Sequence, residues 1–224
     1  MLSIAEHITD LDCNTPEVVP STLAHPTRML GPNAILYEAG REASSLYIVN
    51  SGVLKAVIPT SLGRDRIADL HGPGDVLGLA AIEGESHTET IQAVHDACLT
   101  PLDPQQALND RRLRDYIFQS MARQLRRSRE AIDDAELPVG ARVTRTFLRL
   151  TERFGQGADV GGVKLPLALT HEDLASLTGS SRVTITRILG ELRLEGALSG
   201  TRGLYVANPR NLEAATDNYV MQVI

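Results

Sequence analysis

The chain has 224 residues, 42% of them hydrophobic and 22% charged, with a formal net charge of −6 and no tryptophan. That length builds one large domain or two small ones around aliphatic cores, and the composition excludes a disordered or collagen-like chain. The opening "MLSIAEHITDLDCNTPEVV" lacks a basic start followed by an apolar run, so no signal peptide is expected, and no apolar stretch approaches the length of a membrane span.

Two cysteines, Cys13 and Cys98, cannot make a disulfide framework or a four-thiolate cluster, so a reduced, cytoplasmic protein is expected. The acidity is uneven. Residues 1–137 carry 12 Lys+Arg against 20 Asp+Glu, or −8, whereas residues 138–224 carry 10 against 8, or +2. Five arginines between 180 and 210 face only Glu191 and Glu195, so positive charge gathers where the chain could meet nucleic acid.

From about Leu30 to Leu102 short apolar runs alternate with glycines 40, 52, 63, 72, 74 and 78. Many short strands with closely spaced turns predict an antiparallel sandwich or barrel. After Pro104 the texture changes: "QQALNDRRLRDYIFQSMARQLRRSREAIDDAEL" has no glycine or proline. Leu113, Ile117, Met121, Leu125, Ser128, Ile132 and Ala135 recur every three or four residues, which predicts one long helix with a narrow seam. Such a seam suits pairing with a second copy, and packing on the chain's own β domain is the alternative. Pro138 and Gly140 then break the helix, and "ARVTRTFLRLTERFG" starts another.

Two helical segments follow, "HEDLASLTG" and "SSRVTITRILGELRLEG", then a hairpin "ALSGTRGLYVANP" and a tail. Thr170 and Asp173 form a capping-box pair, Ala175 is small where two helices would cross, and Gly179 suits the positive φ of a tight turn. Ser180 or Ser181 caps the second helix, which turns Ile185, Ile188, Leu189 and Leu192 inward. The opposite face carries Arg182, Val183, Thr184, Thr186 and Arg187. Arginine bonds guanine bidentately, valine packs on a thymine methyl, and the hydroxyls suit phosphates. Ser180 and Ser181 stand at the same helix start, and Arg202 at the hairpin tip would reach the DNA backbone. A solvated polar face on a core helix is the bland alternative.

These features together resemble the CRP/FNR family of bacterial transcription regulators, over nearly the whole chain after residue 28. The stretch "GSSRVTITRILGELR" looks most like the recognition helix of that family's cyanobacterial global nitrogen regulator. The resemblance implies an α+β fold: a β jelly-roll of the cyclic-nucleotide-binding type over 1–104, a dimerisation helix and hinge over 105–137, and a winged helix-turn-helix over 138–224. It implies a homodimer with its seam at Leu113, Ile117, Met121, Leu125 and Ile132, palindromic double-stranded DNA as partner, and recruitment of RNA polymerase. It also puts Arg182, Val183 and Arg187 at the three base-reading positions. Many relatives carry glutamate at the middle one, and Val183 cannot accept a hydrogen bond from cytosine, so a GTA-type half-site is expected rather than TGTGA.

Cyclic-nucleotide-binding members of the family place Gly-Glu on the ribose and Arg-Ser or Arg-Thr on the cyclic phosphate. Here Gly78 is followed by Leu79, and the arginine position holds His87 before Thr88. Leucine cannot accept the ribose hydroxyl and a neutral imidazole offers no forked cation, so cyclic AMP is not expected. Two readings remain open: an effector held near His87, Thr88, Arg123, Ser128 and Arg129, anionic or nucleotide-like, or no effector at all. Haem on His71 is a weak candidate, and two cysteines exclude an iron–sulfur cluster. A cupin-type metalloenzyme using His71, His87 and His95 lacks the required His-x-His pair. Accordingly no cofactor, catalytic residue or metal ligand is assigned.

Overall fold

A computed structural model describes residues 13–23, 25–60, 65–157, 162–201 and 204–222. The chain divides into two compact units, Met1–Arg127 and Ser128–Ile224, whose boundary falls inside a helix.

The first unit holds strands β1 (Arg28–Leu30), β2 (Ile35–Tyr37), β3 (Leu46–Ser51), β4 (Leu54–Pro59), β5 (Asp65–His71), β6 (Val76–Leu77), β7 (Thr90–Ala93) and β8 (Ala97–Leu102). They form two antiparallel sheets, ordered β1-β8-β3-β6 and β2-β7-β4-β5. Alternation puts Leu36, Val49, Leu54, Leu77, Ile91 and Leu99 into one aliphatic core, as expected of a sandwich whose apolar faces meet.

Next come α1 (Pro104–Asn109) and α2 (Arg111–Asp134). The expected single helix is therefore interrupted: Asp110 is extended, with φ −79° and ψ 124°, and its carboxylate accepts from the Leu113 N–H at 2.9 Å. An aspartate that caps a new helix can end the previous one without glycine or proline.

The seam needs correction too. Leu113 and Ile117 are fully buried with Val19, Leu46, Ile48, Val76 and Leu102, so the first turns of α2 complete the barrel's own core. Met121, Leu125 and Ile132 are 39%, 55% and 69% exposed, and Phe118, at 56%, extends their stripe. Polar bonds fix α2 in the first unit. Ser120 accepts from the Val76 N–H, Gln124 donates to the Val76 carbonyl, and Arg127 pairs with Asp69 and Asp75.

The two cysteines, expected as separate thiols, are joined. Cys13 and Cys98 form a disulfide with Cα atoms 5.6 Å apart across a sequence separation of 85. Folding lays the N-terminal segment beside β8, a proximity that spacing in sequence does not reveal. Val18, Val19 and Leu23 of this segment pack on the same cluster that seats Leu113 and Ile117.

The second unit contains α3 (Val139–Phe154), β9 (Gln156–Gly157), β10 (Val163–Leu165), α4 (His171–Thr178), α5 (Arg182–Leu194), β11 (Leu198–Thr201), β12 (Leu204–Ala207) and α6 (Pro209–Met221). Its sheet runs β11-β12-β10-β9. Phe147 of α3 meets Tyr205 of β12 edge to face, with ring centroids 5.3 Å apart. The residues read as a tail form α6, capped by Asn208 and bonded to α3 through Thr216 and Thr144 at 2.7 Å.

Gly140 lies within α3 rather than breaking a helix there. A Cβ on it would stand 2.3 Å from a ring carbon of Tyr219, so the missing side chain admits that ring. Asp134, at the end of α2, is buried and pairs with Arg145 and Arg149 of α3.

Candidate nucleic-acid interface

Helices α4 and α5 are built from local signals. The Thr170 hydroxyl accepts from the Asp173 N–H at 2.9 Å while the Asp173 carboxylate accepts from the Thr170 N–H, which closes the capping box. Gly179 takes φ 59° and ψ 43°, the left-handed conformation that ends α4 and turns the chain. Ser181 is the cap of α5, accepting from the Thr184 N–H at 3.1 Å, while the Ser180 hydroxyl bonds that of Thr178. Arg142 ties this turn to the preceding hinge, donating to the carbonyls of Ala135, Leu137 and Gly179.

Ile185, Ile188, Leu189 and Leu192 are fully buried, which fixes the rotation of α5. Arg182, Val183, Thr186 and Arg187 consequently face out, and Val183 is 79% exposed. Burying four aliphatic side chains contributes roughly 1.5–3 kcal/mol each, far more than a solvated polar face could oppose. The exposed end combines the positive end of the helix dipole with two arginines, both favourable to a polyanion.

The outward residues are not all idle. Arg187 pairs with Glu191 one turn on, and Glu191 also accepts from the Tyr219 hydroxyl at 2.7 Å. Thr186 donates to the Arg182 carbonyl and meets His171 Nδ1 at 2.8 Å. Desolvation first, then Arg193 and Arg182, hold the His171 pKa below its usual value. Sequence reasoning misses His171, Glu191 and Tyr219. Only Glu191 leaves a local signal, an acid four residues after an arginine on one helix. Arg202 lies outside the described residues, although β11 and β12 flank it as the arms of the expected hairpin.

A Crp-like helix-turn-helix domain matches residues 141–215, and a cyclic nucleotide-binding domain matches residues 27–109. The transcriptional regulator LdrP of Thermus thermophilus is 30% identical over 182 residues, covering 80% of this chain and 90% of that protein. The chain belongs to the CRP/FNR family of transcription regulators. A CRP-like cAMP-activated global transcriptional regulator of Mycobacterium tuberculosis is 29% identical, over 80% of this chain and 87% of its own. A solved CRP-family transcriptional regulator, also from Thermus thermophilus, shares the fold, with a TM-score of 0.75 and 24% identity over 86% of this chain and 98% of that one. This CRP/FNR protein is thus a DNA-binding regulator, and these likenesses give no support to the cupin-type alternative.

In this CRP/FNR regulator the expected effector pocket is a cavity of about 190 Å³ in the first unit, lined by Tyr37, Gly78, Leu79, His87, Thr88 and Gln124 among others. His87 does not stand open to it as a cation. Its ring stacks on Tyr37 with centroids 3.6 Å apart and planes at 6°, and desolvation lowers its pKa. The Tyr37 hydroxyl accepts from the Gly78 N–H at 3.1 Å and donates to Glu89 at 3.5 Å. Burial, then the Glu89 carboxylate, keeps that phenol protonated.

Of the other expected pocket residues, Arg123 donates to the Gly74 carbonyl and is not among the lining residues, and neither are Ser128 and Arg129. Both of the latter lie on the exposed face of α2 in the second unit. His71, the haem candidate, is buried 3.5 Å from Asp75. Among the described residues no helix is long and apolar enough to cross a membrane.

Proposed function

We propose that this regulator is a homodimer, cytoplasmic because its DNA partner is, that presses two α5 helices into successive major grooves of a palindromic site and does so without cyclic AMP. The observation that carries the reading is the outward end of α5. Arg182, Val183 and Arg187 face solvent from a helix whose other side is locked into the core. Arg182 and Arg187 contact bases, Val183 meets a thymine methyl, and Ser180, Ser181, Thr184, Thr186 and Arg202 lie along the phosphates. Two-fold pairing along Phe118, Met121, Leu125 and Ile132 supports half-sites one helical turn apart, because operator symmetry mirrors protein symmetry. RNA polymerase would be the protein partner.

Independence from cyclic AMP is supported by the contents of the cavity. Its polar lining is engaged internally, Tyr37 bonding Gly78 and Glu89, its imidazole is stacked with a pKa lowered by desolvation, and among the described residues no arginine lines it. Its volume also falls below the roughly 300–1,000 Å³ of typical ligand pockets. Selection from random DNA by the purified protein, at physiological salt and without ligand, tests both halves. Enrichment of a palindrome is the expected result. Enrichment only after a small molecule is added would favour a ligand-gated regulator instead, with Thr88 and Gln124 the place to look for its contacts.

A further inference from the structure

A cleft of about 370 Å³ lies beside the reading helix, lined by Pro138, Gly140, Arg187, Glu191, Glu195 and Tyr219 among others. Within it a chain of contacts crosses three helices. Gly140 of α3 gives room for the Tyr219 ring, the Tyr219 hydroxyl on α6 donates to Glu191 Oε2, and Glu191 Oε1 accepts from Arg187 of α5. We propose that Glu191 and Tyr219 are positioning residues that set how sharply Arg187 discriminates its base; the proposal rests on the reading above that Arg187 contacts one.

A guanidinium carries five N–H donors in a rigid fork, so an acceptor on one edge orients the other edge. Without a buttress, the guanidinium at the end of a flexible stem also donates to phosphates, which hold it wherever the sequence beneath is wrong. A glutamate one helical turn away supplies the buttress, but an exposed i,i+4 pair contributes only about 0.2–0.5 kcal/mol on its own. Glu191 is held more firmly than that. Its second oxygen is engaged by Tyr219, whose ring is set against α3 at the one position in contact with it that has no side chain. Charge-assisted bonds at both ends strengthen the chain. Burial and the Glu191 carboxylate keep the phenol protonated and therefore a donor.

The C-terminal helix thereby takes part in reading sequence although none of it need touch DNA. Its contribution is specificity rather than affinity. A buttressed arginine gains little on random DNA, where no guanine stands in place to use the orientation.

The test compares wild type, Arg182→Ala, Arg187→Ala, Tyr219→Phe and Glu191→Gln by random-site selection, followed by binding to single-base variants of the selected site and to random DNA. Arg187→Ala is expected to flatten preference at one base pair of each half-site and so identify its base. Tyr219→Phe keeps the ring in its seat and should lower preference at that same base pair roughly 3- to 10-fold, the loss of one hydrogen bond to a charged group at a position acting through another. Glu191→Gln should do likewise. Preference at the base pair assigned by Arg182→Ala should hold in both, and affinity for random DNA should hold in Tyr219→Phe, while Glu191→Gln, by removing a negative charge, raises affinity for every sequence alike.

Four results would overturn the proposal. Unchanged or sharpened preference in Tyr219→Phe and Glu191→Gln would make the network incidental or a restraint. Uniform flattening at every position would make α6 a mere prop. If wild type selects a palindrome but Arg187→Ala flattens nothing, the base contact itself is wrong, and if wild type selects nothing the assignment of ligand-free DNA reading fails first.

Discussion

Val183→Glu is the sharpest test of the recognition surface. Val183 is the second residue of α5 and 79% exposed, so removing it should change stability by no more than about 0.5 kcal/mol. A carboxylate in the first turn meets the positive end of the helix dipole and gains about 0.3–1 kcal/mol, and Arg187 one turn on favours it further. The fold therefore survives and any change is one of recognition. At the groove a methyl contact is exchanged for an acceptor that suits cytosine, a discrimination of about 1–3 kcal/mol per base pair. Two half-sites in a dimer double it to about 2–6 kcal/mol, so the ratio of affinities for TGTGA-type over GTA-type palindromes should rise at least about 30-fold. The added negative charge weakens binding to both sites alike, so the ratio rather than either affinity is the quantity to measure. Competition between the two duplexes at one fixed salt concentration gives it directly. A ratio unchanged within threefold, with both affinities intact, would remove Val183 from the base-reading set.

Other outcomes follow from the core and the covalent link. Leu113→Ala should cost about 2–5 kcal/mol in urea unfolding, because the side chain is fully buried, whereas Leu125→Glu should leave protomer stability nearly unchanged and yield monomers in sedimentation. A Leu125→Glu protein that stays dimeric would reject the α2 seam. Reducing the Cys13–Cys98 disulfide should lower stability by roughly 4–5 kcal/mol on the loop-entropy relation for its separation of 85, with Cys13→Ser insensitive to reductant; identical urea midpoints with and without dithiothreitol would contradict this. His87 and His171 have folded pKa values below 6.5, so each contributes stability above that pH that is lost as pH falls below it, where the unfolded chain binds more protons. His87→Asn should flatten the fall in urea midpoint between pH 7.5 and 5.5, and an unaltered slope would exclude His87 as a source.

What the sequence shows best is what its neighbours in sequence decide. Thr170, Asp173, Gly179 and Ser181 each act within three or four residues, so the helix-turn-helix reads directly from spacing. The α2 stripe shows the limit. Leu113, Ile117, Met121 and Leu125 share one periodicity, yet the barrel covers the first two and leaves the others exposed, a division that only tertiary packing makes. The Tyr37–His87 stack and the disulfide join residues 50 and 85 apart, with no local pattern to announce them. Helix α6 is different, because its start signal is present. Asn208 followed by Pro209 is a cap and a first-turn proline, legible once the closing residues are considered as a helix. Its link to Arg187 through Tyr219 is not.

The buried Asp134 has a consequence for how such proteins can be cut and recombined. It sits on α2, yet its two arginine partners are on α3, so the DNA-binding module owns the final turns of the helix that precedes it. A fragment starting at Val139 would leave Arg145 and Arg149 without their carboxylate, and Arg142 without the Ala135 and Leu137 carbonyls it clasps. One starting at Ser128 keeps all of them. The natural seam for exchanging sensor modules on this reading head is therefore mid-helix, where an α-helical splice in register preserves both halves, and not at the proline that looks like the joint.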